Sequence, residues 1–253
     1  MADRARDPRH RQSGLTLIEV LIAVTLVGLL MVAISTSLGI GLRAMERANG
    51  RLELNRRVVR TQQILEQQIL NLTPAIAACV LEDERQPRAI PFFQGEPLAM
   101  RFVSTYSLRD GDRGYPRILE FTAIAGDPAK TPPGMRLIVN ELPYMGPLSA
   151  GQLCFGPTYS QELGRAVPVF APIQAKPSSF VLADRLLRVR FRYLQLRPLP
   201  QPPQWLEFWG MPELPEAIAI DLIPLPDEGG GVKPMSLVLP LRVDRIPGGK
   251  YAD

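Results

Sequence analysis

Side chains that can move protons, attack carbon or hold metal are thinly spread along this chain. Its only histidine is His10. Beyond Gly14 there is no imidazole, which removes Ser-His-Asp and Cys-His arrangements and every histidine metal site. The closest carboxylate pair is Asp110-Gly111-Asp112. Two carboxylates are enough in principle for acid–base work, but a pair in a glycine turn reads as a solvated loop. It is also too small a set for calcium, which takes roughly six to eight oxygens. Cys79 and Cys154 make neither a CxxC nor a zinc spacing. No enzyme, metal or cofactor is expected. The residue whose position is unusual is Glu19, a carboxylate five places after Gly14 and four residues into an apolar run that begins at Leu15.

That run must be positioned by a helix. From Val20 to Leu42 there is no charged residue, and about 20 apolar residues suffice to cross a bilayer as a helix. Arg4, Arg6, Arg9 and Arg11 precede it, against Asp3 and Asp7. The positive-inside rule therefore leaves residues 1–14 in the cytoplasm and sends the larger domain outward. A secretory signal peptide cut after Ala33-Ile34-Ser35 is the plainer alternative. Glu19 weighs against it: a carboxylate in hydrocarbon costs about 3 kcal/mol unless it pairs or reaches the interface, which a position near the helix end allows, so its spacing from Gly14 is more telling than the cost. The formal net charge is +4; the leader accounts for +2 of it (four arginines, two aspartates), so the remainder is +2. With no stretch that interleaves cations and aromatics, nucleic acid is not an expected partner.

Ser13-Gly14-Leu15-Thr16-Leu17-Ile18-Glu19-Val20-Leu21 resembles the signal of type IV prepilins and type II secretion pseudopilins. The resemblance implies that a prepilin peptidase cuts between Gly14 and Leu15 and that the new Leu15 amino terminus is N-methylated. It also implies that Glu19 is an assembly residue. Leu15 stands where Phe is commoner in the family. The cationic Leu15 amine of one subunit and the Glu19 carboxylate of a neighbour would neutralise each other in low dielectric and set the stagger between subunits.

Arg43 to Asn71 is rich in helix formers, and Val58, Leu65 and Leu72 recur every seven residues with Gln62 and Ile69 between them. One helix is expected from Thr16 to about Leu72, ending at Thr73-Pro74, with this stripe packed on a globular domain. Gly39 and Gly41 either loosen the helix or allow close packing of a neighbour. Asn71-Leu72-Thr73 matches the glycosylation pattern and is read as chance.

There are 26 prolines, about twice the usual share, so the remainder should hold short strands and many turns. Strands are expected at residues 97–103, 117–123, 135–139, 186–196, 216–225 and 235–243. Leu187 to Tyr193 alternates with apolar residues in and Arg188, Arg190 and Arg192 out, a solvated face or one turned to an acidic partner. The proline-dense stretch 196–215 is expected to be a rigid loop with Trp205, Phe208 and Trp209 as aromatic anchors; the tryptophans either cap the core of their own domain or, if exposed, serve as interface hot spots. A turn is expected at Asp227 to Gly231 and a loose tail from Gly248 to Asp253. In an oxidising compartment Cys79 and Cys154 could form a disulfide; two lone cysteines could equally be buried small hydrophobes.

The order of elements in the last third is similar to that of minor pseudopilin J of type II secretion: the aromatic strand from Leu186 to Leu194, the tryptophan loop, then Leu214-Pro215 leading into an alternating strand. The likeness covers about residues 14–72 and 184–243. It implies an α+β, pilin-like fold, in which a long N-terminal membrane-spanning α-helix packs on an antiparallel β-sheet headpiece with long Pro-rich loops. The domain plan is leader 1–14, spanning half 15–42, amphipathic half 43–73 and β-rich periplasmic domain 74–253. Implied partners are the inner membrane, prepilin peptidase, the I- and K-type minor pseudopilins and the major subunit. Glu19 itself separates the chain from the K type, which characteristically lacks it. The alternatives are a minor pilin of a type IV pilus or DNA-uptake filament, and an anchored periplasmic binding protein that never polymerises.

Overall fold

The computed structural model describes residues 16–79, 87–129, 131–161, 164–226 and 234–243. Gly14, Leu15, the turn at Asp227 to Gly231 and the tail from Gly248 lie outside them. The chain divides into two compact units, Met1–Leu52 and Glu53–Asp253. One helix, α1 (Leu17–Leu70), contributes to both.

The first unit is the N-terminal part of α1. Leu17–Glu46 is long and apolar enough to cross a membrane, and none of it is buried. The helix runs without a break through Gly39 and Gly41, where an added Cβ would meet nothing within 4 Å.

In the second unit the remainder of α1 lies on an antiparallel sheet. Its buried side chains are Thr61, Leu65, Gln68 and Ile69, with Val58 packed at the margin. The apolar stripe is as the spacing suggests, but two polar residues share it and fix the helix's register. Thr61 Oγ donates to Leu182 O at 2.6 Å, and Ser104 Oγ to Gln68 Oε1 at 3.0 Å. The helix stops at Leu70, two residues earlier than expected. Leu72–Thr73 instead forms strand β1, because pairing with Ser104 and Val103 puts Leu72 into the core and satisfies its backbone.

The remaining elements follow in chain order: β2 (Ile76–Cys79), β3 (Arg88–Pro91), β4 (Gln94–Gly95), β5 (Ala99–Tyr106), β6 (Arg113–Ala125), β7 (Met135–Pro143), α2 (Pro147–Gly151), β8 (Cys154–Ser160), β9 (Arg165–Phe170), β10 (Phe180–Gln195), β11 (Gln204–Leu206), β12 (Ala217–Pro224) and β13 (Met235–Pro240). The main sheet has the order β1-β5-β6-β7-β10-β12-β13, with β4 added to β5 and β11 to β10. The 16-residue β10 ties it together: Phe180 to Leu186 pairs with β7, while Leu186 to Leu194 pairs with β12. All six expected strands are present.

Strand alternation divides the sheet into two faces. One face carries Met100, Phe102, Leu119, Phe121, Leu137, Val139, Phe191, Tyr193, Ile218 and Ile220, which form the core with Leu65 and Ile69 of α1. The opposite face carries Val103 and Ile118, covered by Ala77, Cys79, Phe92, Ala150 and Phe170. This cover consists of the β2–β3 hairpin, α2 and the β8–β9 hairpin. Gly151 is needed where α2 meets β2, since a Cβ there would lie 1.9 Å from Ala78 O.

The expected alternation of β10 needs two corrections. Leu187 is 58% exposed, because a register shift between Leu186 and Arg188 turns it outward. The arginines are not a uniformly solvated face either. Arg188 is exposed, but Arg190 pairs with Glu207, and Arg192 Nη2 lies 3.0 Å from Asp221 Oδ2 and over the Trp205 ring. Trp209 is buried, and its indole N–H donates to Glu213 O at 2.8 Å. Its backbone bridges to Gly95, where a Cβ would come within 2.7 Å of Trp209 Cβ.

Candidate processing and assembly site

Glu19 occupies the first turn of α1, which opens with the N–H of Glu19 and of Val20 donating to Thr16 O at 3.1 and 3.3 Å. A carboxylate is favoured there by the partial positive charge of the helix N-terminus. It is exposed, as are the apolar residues that follow it: Val20, Leu21, Ile22, Val24, Leu26 and Val27. Residues 16–42 therefore form a continuous unpaired apolar helix surface with one acid near its start. Such a surface is stable only in lipid or against other helices. Thr25 and Thr36 return their hydroxyls to carbonyls one turn back, so they add no unsatisfied polar group to the span.

A second group of residues converges on the covered face of the sheet. Cys79 of β2 and Cys154 of β8 are joined in a disulfide with Cα atoms 5.6 Å apart. Beside it Arg101, Glu120 and Asn140 sit directly opposite one another on β5, β6 and β7 and are almost fully buried. Arg101 Nη2 lies 2.7 Å from Glu120 Oε1, its Nη1 donates to Gln94 Oε1 at 2.6 Å, and Asn140 Nδ2 donates to Glu120 Oε2 at 3.0 Å. Burial lowers the Arg101 pKa, against the raising effect of the Glu120 charge and hydrogen bond. Nothing in the periodicity of β5, β6 or β7 announces this row. The signal available was a charged or polar residue at an inward position of each strand.

Asp110 is engaged within its own turn. Asp110 Oδ2 accepts from Ser107 Oγ at 3.0 Å and pairs with Arg117 at 3.3 Å. The nearby Glu141 carboxylate accepts from the N–H groups of Leu108 and Arg109, closing the turn. Among the described residues no group of three or more His, Cys, Asp or Glu could hold a metal ion.

The family model for the prokaryotic N-terminal methylation motif matches residues 9–35. That window contains Gly14, Leu15 and Glu19. No curated protein matches the chain. The motif indicates a type IV pilin- or pseudopilin-like protein, a class of structural subunits that prepilin peptidase processes. The long apolar helix followed by an antiparallel sheet domain agrees with the pilin-like α+β fold.

Proposed function

We propose that the protein is a minor pseudopilin of a type II secretion pseudopilus, most similar to the J type, cut between Gly14 and Leu15 and methylated on Leu15. The observation that carries this reading is the methylation motif at residues 9–35 opening an exposed apolar helix with Glu19 in its first turn. Support for the J type comes from the C-terminal third. There β10 leads through the Trp205–Trp209 loop to Leu214-Pro215, then to β12 and the edge strand β13, the order on which the resemblance rests. The span anchors the chain in the inner membrane, with residues 1–14 cytoplasmic and the headpiece periplasmic. The partners are I- and K-type minor subunits and the major subunit. Assembly pairs Glu19 with a neighbour's Leu15 amine.

Intact mass and the N-terminal peptide of protein taken from its native membrane test the processing step. The expected chain starts at Leu15 and is about 14 Da heavier than its sequence mass. A chain starting at Thr36 or Met1 ends the prepilin reading. Crosslinking in the same membranes then separates filaments: capture of I- and K-type pseudopilins supports secretion, and capture of pilus subunits alone moves the protein to a type IV pilus.

A further inference from the structure

Residues 171–179 connect β9 to β10 as a strap with no helix or strand of its own. None of its side chains is buried; Ile173 is half-buried, while Pro172 and residues 174–178 are exposed. Almost no apolar burial holds it down. It is held instead by hydrogen bonds: the Ala171 N–H donates to Leu153 O at 2.7 Å, and the others come from the row beneath. Arg101 Nη2 donates to Ala171 O at 2.8 Å, and Asn140 Nδ2 donates to Gln174 O at 2.9 Å. Ser179 Oγ donates to Asn140 Oδ1 at 2.5 Å, and Lys176 Nζ stands 4.0 Å from Glu120 Oε2. A small turn completes it: Ser179 N–H donates to Lys176 O at 2.9 Å, and Lys176 N–H to Ser179 Oγ at 2.8 Å.

Two features of this arrangement matter. Arg101 and Asn140 bind main-chain carbonyls, which any extended peptide offers. A buried ion pair also contributes little to stability relative to apolar residues of the same size, so the role the row visibly has is to hold main chain against the sheet. Segments with few apolar contacts open at lower free energy than the domain unfolds. We propose that the strap is a displaceable occupant of a main-chain-reading site. It lifts off while the sheet stays folded, and the Arg101–Glu120–Asn140 row then binds an extended peptide of another chain in its place.

The test uses the full chain in detergent and thermolysin, which cuts before Ile173. Cleavage there, seen as two fragments on a denaturing gel, follows the population of the open strap when opening is fast. The expected rate is nearly independent of denaturant below the unfolding transition. Ser179→Ala, which removes the strap's hydrogen bonds to Asn140 Oδ1 and from the Lys176 N–H, should raise it about tenfold while cleavage stays nearly independent of denaturant below the transition. In that variant a synthetic peptide of residues 171–179 with Ile173→Gly and Ala175→Gly, which leaves it no thermolysin site, should accelerate cleavage further and saturate, because it binds only the open form. Cleavage that rises with denaturant as steeply as global unfolding overturns the detachable strap. A peptide without effect up to its solubility limit overturns the binding site. Both tests are independent of whether the chain is a pseudopilin.

Discussion

Tyr193 shows how one side chain couples the two ends of the headpiece core. It is fully buried on β10, and its hydroxyl donates to Glu96 O at 3.0 Å and reaches Ala99 O at 3.4 Å. Its ring contacts Phe93 edge-on and lies tilted against Trp209. Burial raises its pKa well above the ordinary tyrosine value. The unfolded chain loses this proton near pH 10 while the folded chain keeps it. Above that pH the native state therefore binds more protons, and stability falls as pH rises. Denaturant midpoints for wild type and Tyr193→Phe, measured at neutral pH and above about pH 10, check this. Tyr193→Phe should lose about 1–2 kcal/mol at neutral pH through its missing hydrogen bonds and should show a flatter alkaline decline. Parallel declines in the two proteins would show that another group governs the alkaline limit. Legibility at this scale is uneven. Glu19 is readable because a charge in an apolar run needs a reason. Arg101 is not, because its Glu120 and Asn140 partners are brought together only by the pairing of three strands.

Among the elements, the long and strongly patterned ones were legible. The stripe on α1 and six of the nine strands of the main sheet follow from apolar spacing, since each carries an apolar face to the core under α1. The covering layer was not. β2 is four residues with two alanines, and β8 contains Gly156 and Pro157, which read as a turn. Neither element has an apolar face broad enough to declare itself, and the cover depends on a cross-link. The disulfide closes a 75-residue separation between β2 and β8, which in the chain-entropy picture stabilises by about 4 kcal/mol. Cys154→Ser should lower the melting temperature of the full chain in detergent by several degrees and increase amide exchange first in β2, α2 and β8. Reduction of the wild type should reproduce both effects. Unchanged melting would mean that Phe92, Ala150 and Phe170 hold the cover by themselves. Proline density marked the break after β10, but strand β11 lies within that stretch, and of the three expected anchors Trp209 is buried, Trp205 half-buried and Phe208 exposed. It said nothing of the Arg190–Glu207 and Arg192–Asp221 pairs, in which two of the three arginines are engaged.

For the whole molecule, the decisive fact is that one end of the chain has no core of its own. None of Leu17–Glu46 is buried as a single chain, so its stability must come from lipid, from like helices, or from each in turn. Glu19 distinguishes these states. In a lone anchored chain its position near the helix end lets the carboxylate reach the interface at modest cost. In a bundle of spans water is excluded, and an unpaired carboxylate destabilises the assembly by several kcal/mol unless a cation faces it. The proposed cation is the Leu15 amine of a neighbour, created only after cleavage. Membrane insertion and assembly should therefore separate on mutation. Glu19→Gln keeps the size of the side chain and removes its charge. It should leave the amount of protein in the membrane and the processed N-terminus unchanged, while incorporation into filaments falls at least tenfold. Quantitative blotting of membrane and sheared-filament fractions reads both quantities together. If Glu19→Gln and Glu19→Ala enter filaments at the wild-type level, the carboxylate has no part in assembly; if the wild type itself is absent from the filament fraction, the chain is an anchored headpiece that acts without polymerising.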